Sequence, residues 1–345
     1  MDLKIVITGS SLESSMTRSL YRSFLKLGCK VRLFDERGLY GKSSFLTRNR
    51  YANRILWKHF SSSLNSLLIK TIHSYKPDLL LVLKGIFIKP RTLKKIKDTS
   101  GTILFNFNPD NPFNVFSFGS SNGWVIKSIP HYDVYFIWGK FLFDQIGRAG
   151  AKRVEYLPFA SDTEYHYPVD LIAKDKEEYC TDVAFVGNWD QERENWLSKL
   201  EDFNMAIWGT DYWKTRCKNK FLKKCWQGRP VFGEEMAKVC LSSKINLNIL
   251  RVQNKGAHNM RTFEIPACGG FMLHERSDEV LELFEEGKDV ACFSTPQELK
   301  EKINYYLNHE EERMQMAEAA HKKTAIRYTY LCRAKRILEL YEEAR

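Results

Sequence analysis

Between Arg251 and His274 the chain carries its densest set of polar side chains outside a plain helix face. The run Lys255-Gly256-Ala257-His258-Asn259-Met260-Arg261-Thr262-Phe263-Glu264-Ile265-Pro266-Ala267-Cys268-Gly269-Gly270-Phe271 follows an apolar strand candidate at 245–250. It reads as a polar loop leading into a short helix that starts near Met260 and is closed by Gly269-Gly270. A helix N-terminus offers unpaired N–H groups and the positive end of a dipole, which suits a phosphate. Arg261 in the first turn adds a cation with a planar fork of donors. Glu264 lies one turn onward, so the two side chains can share a face. A carboxylate there contacts phosphate poorly but can accept two hydrogen bonds from a ribose diol. The same spacing also fits a plain ion pair between Arg261 and Glu264, and the sequence leaves both readings open.

A second polar cluster, Asn106-Phe107-Asn108-Pro109-Asp110-Asn111-Pro112-Phe113, sits just past a strand candidate. Asp110 is expected there as a general base that deprotonates an acceptor hydroxyl. The alternative is a turn in which Asn and Asp side chains bond their own backbone. Gly9-Ser10-Ser11 follows the first strand candidate. Trp189, Trp208 and Trp213 could stack on a base or sugar, or fill a core.

The elements that must position these residues alternate. Strand candidates fall at 3–8, 30–34, 79–83, 102–106, 133–138 and 154–158, then again at 182–187, 205–209, 245–250, 271–273 and 290–293. Helical patterns lie between them, notably 14–27, 234–241, 278–285, 296–307, 310–321 and 331–341. Strand–helix–strand repetition predicts parallel sheets with right-handed crossovers, and ligands beyond the carboxyl ends of the strands. The fold class expected is α/β, with two Rossmann-like, doubly wound parallel-sheet domains facing across a cleft. The boundaries expected are an N-terminal domain at 1–160, a polar, proline-containing linker at 161–180, a second domain at 181–325, and a final segment at 326–345.

At 345 residues the chain is long enough for two cores, and 43% apolar with 28% charged residues excludes wholesale disorder and coiled coil. No apolar stretch reaches the roughly 18 residues of a membrane span, and because the N-terminus runs straight into a strand pattern no signal peptide is expected. Eight cysteines without a C-x-x-C pair fit reduced thiols in the cytoplasm rather than a disulfide framework or a zinc site. The net charge is +11, and it is uneven. Residues 1–160 hold 25 Lys and Arg against 10 Asp and Glu, while the remainder holds 28 against 32. No acid occurs between Glu36 and Asp78, where Arg37, Lys42, Arg48, Arg50, Arg54, Lys58, Lys70 and Lys76 are interleaved with Trp57, Phe60 and Leu64. This stretch suits peripheral contact with an anionic inner membrane surface, a helix packed on its own domain, or a solvated basic face. No nucleic-acid-binding motif accompanies it.

The block Arg261-Thr262-Phe263-Glu264-Ile265-Pro266-Ala267-Cys268-Gly269-Gly270-Phe271-Met272-Leu273 resembles the signature of the CgeB-type glycosyltransferases, spore-maturation-protein relatives of the GT-B glycosyltransferases. Residues 282–290, Glu298-Leu299, 303–307, Arg313, Ala317 and Tyr328-Thr329-Tyr330 extend the resemblance over roughly 180–340; the N-terminal half matches in architecture alone. The resemblance implies a C-terminal domain that binds a nucleotide-sugar donor and an N-terminal domain that binds the acceptor. It implies that Glu264 holds the ribose hydroxyls and that Gly269 and Gly270 allow close backbone approach. Gly187-Asn188 resembles the first glycine loop of the donor domain, and the final helix would return to the N-terminal domain.

One departure concerns the position eight residues before Glu264. Many retaining relatives carry a second glutamate there; here it is Gly256, which leaves the stereochemical outcome open. His258 and Asn259 are the neighbouring polar groups that could contact sugar or pyrophosphate. No Asp-x-Asp occurs in the chain, so the charge of the leaving group is expected to be met without a metal, by the helix end with Arg193, Arg251, Lys255 and Arg261. No cofactor is expected, the donor being a UDP-, GDP- or dTDP-sugar. The function expected is glycosyl transfer to a protein, glycan or lipid-linked acceptor. The alternatives are a catalytically silent nucleotide-sugar or nucleic-acid scaffold, and a sugar-nucleotide epimerase.

Overall fold

The computed structural model describes residues 2–36, 50–114 and 121–345, with side chains of 50–59 outside that description. The chain divides into two compact units, one formed by residues up to Pro158 together with Tyr330–Arg345, the other by Phe159–Thr329.

The first unit is built on a six-stranded parallel sheet in the order β2-β1-β3-β4-β5-β6. The strands are β1 (Lys4–Gly9), β2 (Lys30–Asp35), β3 (Leu79–Leu83), β4 (Ile103–Phe107), β5 (Val134–Ile137) and β6 (Val154–Tyr156). Central β3 reads Leu-Leu-Leu-Val-Leu and is buried along its whole length, as a strand covered on both faces must be. The helix Arg50–Tyr75 buries Leu64, Leu68 and Ile72, a spacing of four that puts all three on one face in the core of this unit. Residues 37–49 of the basic stretch, and the side chains of Arg50, Arg54, Trp57 and Lys58, lie outside the described residues. The last helix, Tyr330–Ala344, packs on the helix Met16–Lys26 of the same unit, with Ile337 and Leu340 fully buried.

The second unit has a five-stranded parallel sheet in the order β11-β10-β9-β7-β8. Its strands are β7 (Thr181–Val186), β8 (Met205–Trp208), β9 (Ser243–Asn248), β10 (Met272–Glu275) and β11 (Ala291–Phe293). Val183, Phe185, Ile207, Ile245, Leu247, Leu273 and Phe293 supply its core from the strands, with Trp213, Leu299 and Ile303 from the helices. All eleven strands expected from apolar runs are present, with ends displaced by one or two residues.

The expected linker is a correction. Residues 161–180 belong to the second unit, where Ser161, Asp162 and His166 are buried and Ala173–Tyr179 forms a helix. Asp175 draws this helix to its neighbour Gly233–Ser242 through Lys238, at 3.2 Å. Ser161, His166 and Asp175, part of the polar composition that suggests a linker, have their partners inside the unit. Among the described residues no helix is long and apolar enough to cross a membrane.

In each sheet the chain moves to one side of the first strand and then crosses to the other. The switch points are therefore between β1 and β3 and between β7 and β9, where open parallel sheets bind ligands at their carboxyl ends.

Candidate functional site

At the carboxyl end of β7 the chain turns through Gly187-Asn188-Trp189-Asp190 into the helix Gln191–Leu197. Gly187 is needed for space. A Cβ there would stand 2.9 Å from the Phe185 ring. Its N–H donates to Trp208 O at 2.9 Å, and its carbonyl accepts the indole N–H of Trp213 at 2.9 Å. Trp208 and Trp213 are thus core residues, and Trp189 donates to Glu194 at 2.7 Å. Asn188 is exposed, and its N–H makes no hydrogen bond among the described residues.

Arg193 bridges the switch point. Its Nε and Nη2 donate to Ile249 O at 3.1 and 2.9 Å, and its Nη1 donates to Asn188 O at 3.0 Å. The guanidinium thereby ties the loop after β9 to the loop after β7. Burial pulls its pKa down to about 10, so the group stays charged at neutral pH. Arg193 was expected among the phosphate-binding cations. Instead its donors are turned to main-chain carbonyls, and it fixes the loops that would carry a ligand.

Arg251, in the loop after β9, is half exposed and pairs with Asp190 through Nε at 3.1 Å, while Asp190 Oδ1 caps the helix that follows β7. The Nη groups of Arg251 make no hydrogen bond among the described residues. Lys255 is less available, because Glu275 and Glu192 both hold its ammonium. Glu275 is itself buried and accepts Leu250 N–H at 2.9 Å.

The helix Arg261–Ala267 starts beside this loop. Asn259 is used to build it. Its Oδ1 accepts Thr262 N–H at 3.1 Å, and its side-chain amide exchanges hydrogen bonds with that of Asn248, at 2.7 and 3.1 Å. Arg261 and Glu264 form the ion pair that their spacing allowed. Arg261 Nε also donates to Val186 O at 3.1 Å, which pins the guanidinium to the last residue of β7. Its Nη2 makes no hydrogen bond among the described residues, and burial lowers its pKa. Glu264 is buried, with the imidazole Nε2 of His166 at 3.7 Å from its second oxygen. His166 Nδ1 accepts Asp162 N–H at 3.2 Å, so in the neutral ring the proton sits on Nε2 and points towards the carboxylate. Sequence reasoning missed His166, because it lies in the segment read as linker.

Two expectations need correction. His258 has no exposed surface. Its Nε2 accepts Phe159 N–H at 3.2 Å, and its Nδ1 meets Glu279 at 3.1 Å. Both ring nitrogens are engaged inside the unit, so its role there is to hold the loop. Gly269 and Gly270 lie at the far end of their helix, at the amino ends of β9 and β10, away from Gly187 and Arg251. Gly269 ends the helix with φ +84°, and a Cβ on Gly270 would meet Asn246 at 2.7 Å. They serve the turn from helix to strand.

In the first unit, the Asn108–Phe113 segment forms the turns that its composition allowed. Asn108 Oδ1 accepts Asp110 N–H at 3.0 Å, and Asn111 Oδ1 accepts Phe113 N–H at 2.9 Å. The Asp110 carboxylate meets Lys84 Nζ at 2.5 Å. Lys84 follows β3 with φ +66°, a left-handed conformation that costs energy in a side-chain-bearing residue. A Lys-Gly pair directly after a buried strand is the sequence signal that could have drawn attention to it. No group of three or more His, Cys, Asp or Glu side chains is arranged to hold a metal ion among the described residues.

Residues 192–339 match the family model described as Glycosyl transferase-like. The spore protein CgeB of Bacillus subtilis is 33% identical over 85 residues, which is 25% of this chain and 25% of that protein. The chain thus matches about a quarter of the length of that curated relative. Sucrose-phosphate synthase from Thermosynechococcus elongatus superposes with a TM-score of 0.72 at 10% identity, covering 99% of this chain and 98% of the other. The HepE protein of Anabaena, solved with UDP and glucose, gives 0.65 at 12% identity, covering 99% and 100%. Likenesses this extensive at such low identity establish the fold: two Rossmann-like parallel-sheet units, the GT-B fold.

The core beneath the site supplies a test. His274, on β10, is fully buried; its Nε2 meets Thr262 Oγ1 at 2.8 Å, and burial pushes its pKa down to about 4. The ring stays neutral in the folded protein where the unfolded chain would protonate it. Its contribution is therefore fully present above about pH 6.5 and is lost as pH falls towards about 4, by up to about 3 kcal/mol. Denaturant unfolding across that window is expected to show a shallower pH slope in His274→Gln than in the natural protein. Equal slopes would contradict the assignment.

Proposed function

We propose that the protein is a glycosyltransferase that takes its glycosyl group from a nucleotide-sugar. The observation that carries this reading is the pairing of Arg261 with Glu264 at the carboxyl end of β7, beside the switch point and inside the segment that matches the glycosyl transferase-like family. In this reading Arg261 directs its open Nη2 to the diphosphate. Glu264 uses its remaining lone pairs for the ribose diol. Arg251 and the Asn188 N–H supply further donors to the phosphates. A nucleoside diphosphate leaves with developing negative charge, and cations already in position stabilise that charge without reorganisation. HepE binds UDP with glucose in a similar fold, which supports a UDP-sugar as the first donor to try.

Transfer joins an acceptor oxygen to the anomeric carbon as the bond to the diphosphate breaks. The acceptor's proton must go to a base, and Asp110 is the residue we assign to it. The acceptor class we propose is a protein, a glycan or a lipid-linked sugar. The reaction in this account is metal-independent and needs no cofactor, with Arg251 and Arg261 meeting the leaving-group charge.

Glu264→Ala is expected to weaken donor binding by about tenfold or more, the equivalent of about 1.4 kcal/mol, with the fold intact by circular dichroism. Calorimetry with a panel of UDP-, GDP- and dTDP-sugars measures this, and unchanged affinity for every donor that binds would defeat the assignment. Turnover is expected to persist in excess EDTA. Activity abolished by the chelator and restored by a divalent ion would remove the metal-free mechanism while leaving the donor site standing.

A further inference from the structure

At the opposite end of the second unit's sheet, where β9 and β10 begin, a cavity of about 520 Å³ opens between the helices Gly233–Ser242 and Glu310–Arg327. Ser242, Lys244, Gly270, Arg313 and His321 line it. A space of this size holds a small polar metabolite.

Arg313 is the unusual member. It is 7% exposed, and its Nη1 donates to Tyr306 O. Its Nε and Nη2 make no hydrogen bond, and the guanidinium forms no ion pair among the described residues. A buried cation without a carboxylate partner is costly unless an anion reaches it. Glu310 and Asp182 both attract the guanidinium without pairing with it; Asp182 is occupied by Lys244 at 2.7 Å, and Glu318 by Lys322 at 2.5 Å. Ser242 Oγ is buried without a hydrogen-bond partner. His321 donates from Nδ1 to Pro266 O at 3.0 Å, which leaves Nε2 without a partner among the described residues. Two open guanidinium donors and a fixed imidazole therefore line one cavity, beside an orphan hydroxyl that rotation about the Ser242 side-chain bond would turn into it. Glu310, exposed at its edge, disfavours a highly charged polyphosphate.

We propose that this cavity binds a phosphate monoester, or inorganic phosphate itself, with Arg313 and Ser242 taking the phosphoryl oxygens. The site is separate from the donor region, and the proposal stands whether or not the protein transfers sugars. Planar bidentate donation suits the tetrahedral oxygens of phosphate, and the space left over accommodates a group of about hexose size.

Isothermal calorimetry on the full chain with inorganic phosphate and with glucose 6-phosphate tests this. Saturable binding of at least one probe is expected. Arg313→Met should weaken it by about tenfold or more, as loss of charge-assisted hydrogen bonds implies, and Ser242→Ala by a smaller factor. Arg251→Met, at the donor end of the sheet, should leave it unchanged. Tighter binding of the sugar phosphate would identify a monoester as the ligand, and equal binding would identify free phosphate. If Arg313→Met fails to fold, Ser242→Ala decides the matter. Absence of saturable binding of both probes, an affinity untouched by Ser242→Ala, or binding lost only in Arg251→Met would overturn the proposal.

Discussion

One guanidinium holds the second unit's switch point together. Arg193 spends three donors on two main-chain carbonyls, Asn188 O and Ile249 O, that belong to loops 61 residues apart in sequence. Without it, two strand-end carbonyls would lose their partner in a largely desolvated region, at a cost of about 1–3 kcal/mol each. With it, the Gly187 turn and the Arg251 loop keep a fixed spacing. Trp213 reinforces this from the other side by anchoring the Gly187 carbonyl. The open donors of Arg251, Arg261 and Asn188 depend on that spacing for their positions.

The electrostatics are more balanced than the overall charge suggests. Arg193, Arg251, Lys255 and Arg261 stand with Asp190, Glu192, Glu264 and Glu275. The basic excess of the chain lies in residues 1–160, and the remainder is slightly acidic. A ligand carrying a diphosphate would thus be held by short, directional contacts with the unused faces of paired cations rather than by a broad positive field. Exposed charges farther away are screened within about 10 Å at ordinary salt.

Much of this was legible in the sequence, for identifiable reasons. Parallel strands buried on both faces leave apolar runs such as Leu79–Leu83, and the eleven strands followed from those runs. The Arg261–Glu264 pair followed from helical spacing, which fixes which side chains meet. What failed was environment. His258 has a catalytic residue type, yet its partners Phe159 and Glu279 are 99 and 21 residues away, and no local pattern announces them. Residues 161–180 look like a linker because most of their buried positions, Ser161, Asp162, His166 and Asp175, are polar and lack periodicity. The family resemblance implies a ligand-facing role for Gly269 and Gly270, whereas the helix needs them for its own termination. Arg193 reads as a free cation because nothing in the sequence reveals that two carbonyls claim it.

The most direct test is a crystal structure of the protein with the sugar nucleotide that binds best. The ribose is expected within hydrogen-bond distance of Glu264, and the diphosphate against Arg261 and Arg251, beside the Gly187 turn. A nucleotide bound elsewhere in the second unit, with the Arg261–Glu264 pair untouched by ligand, would contradict it.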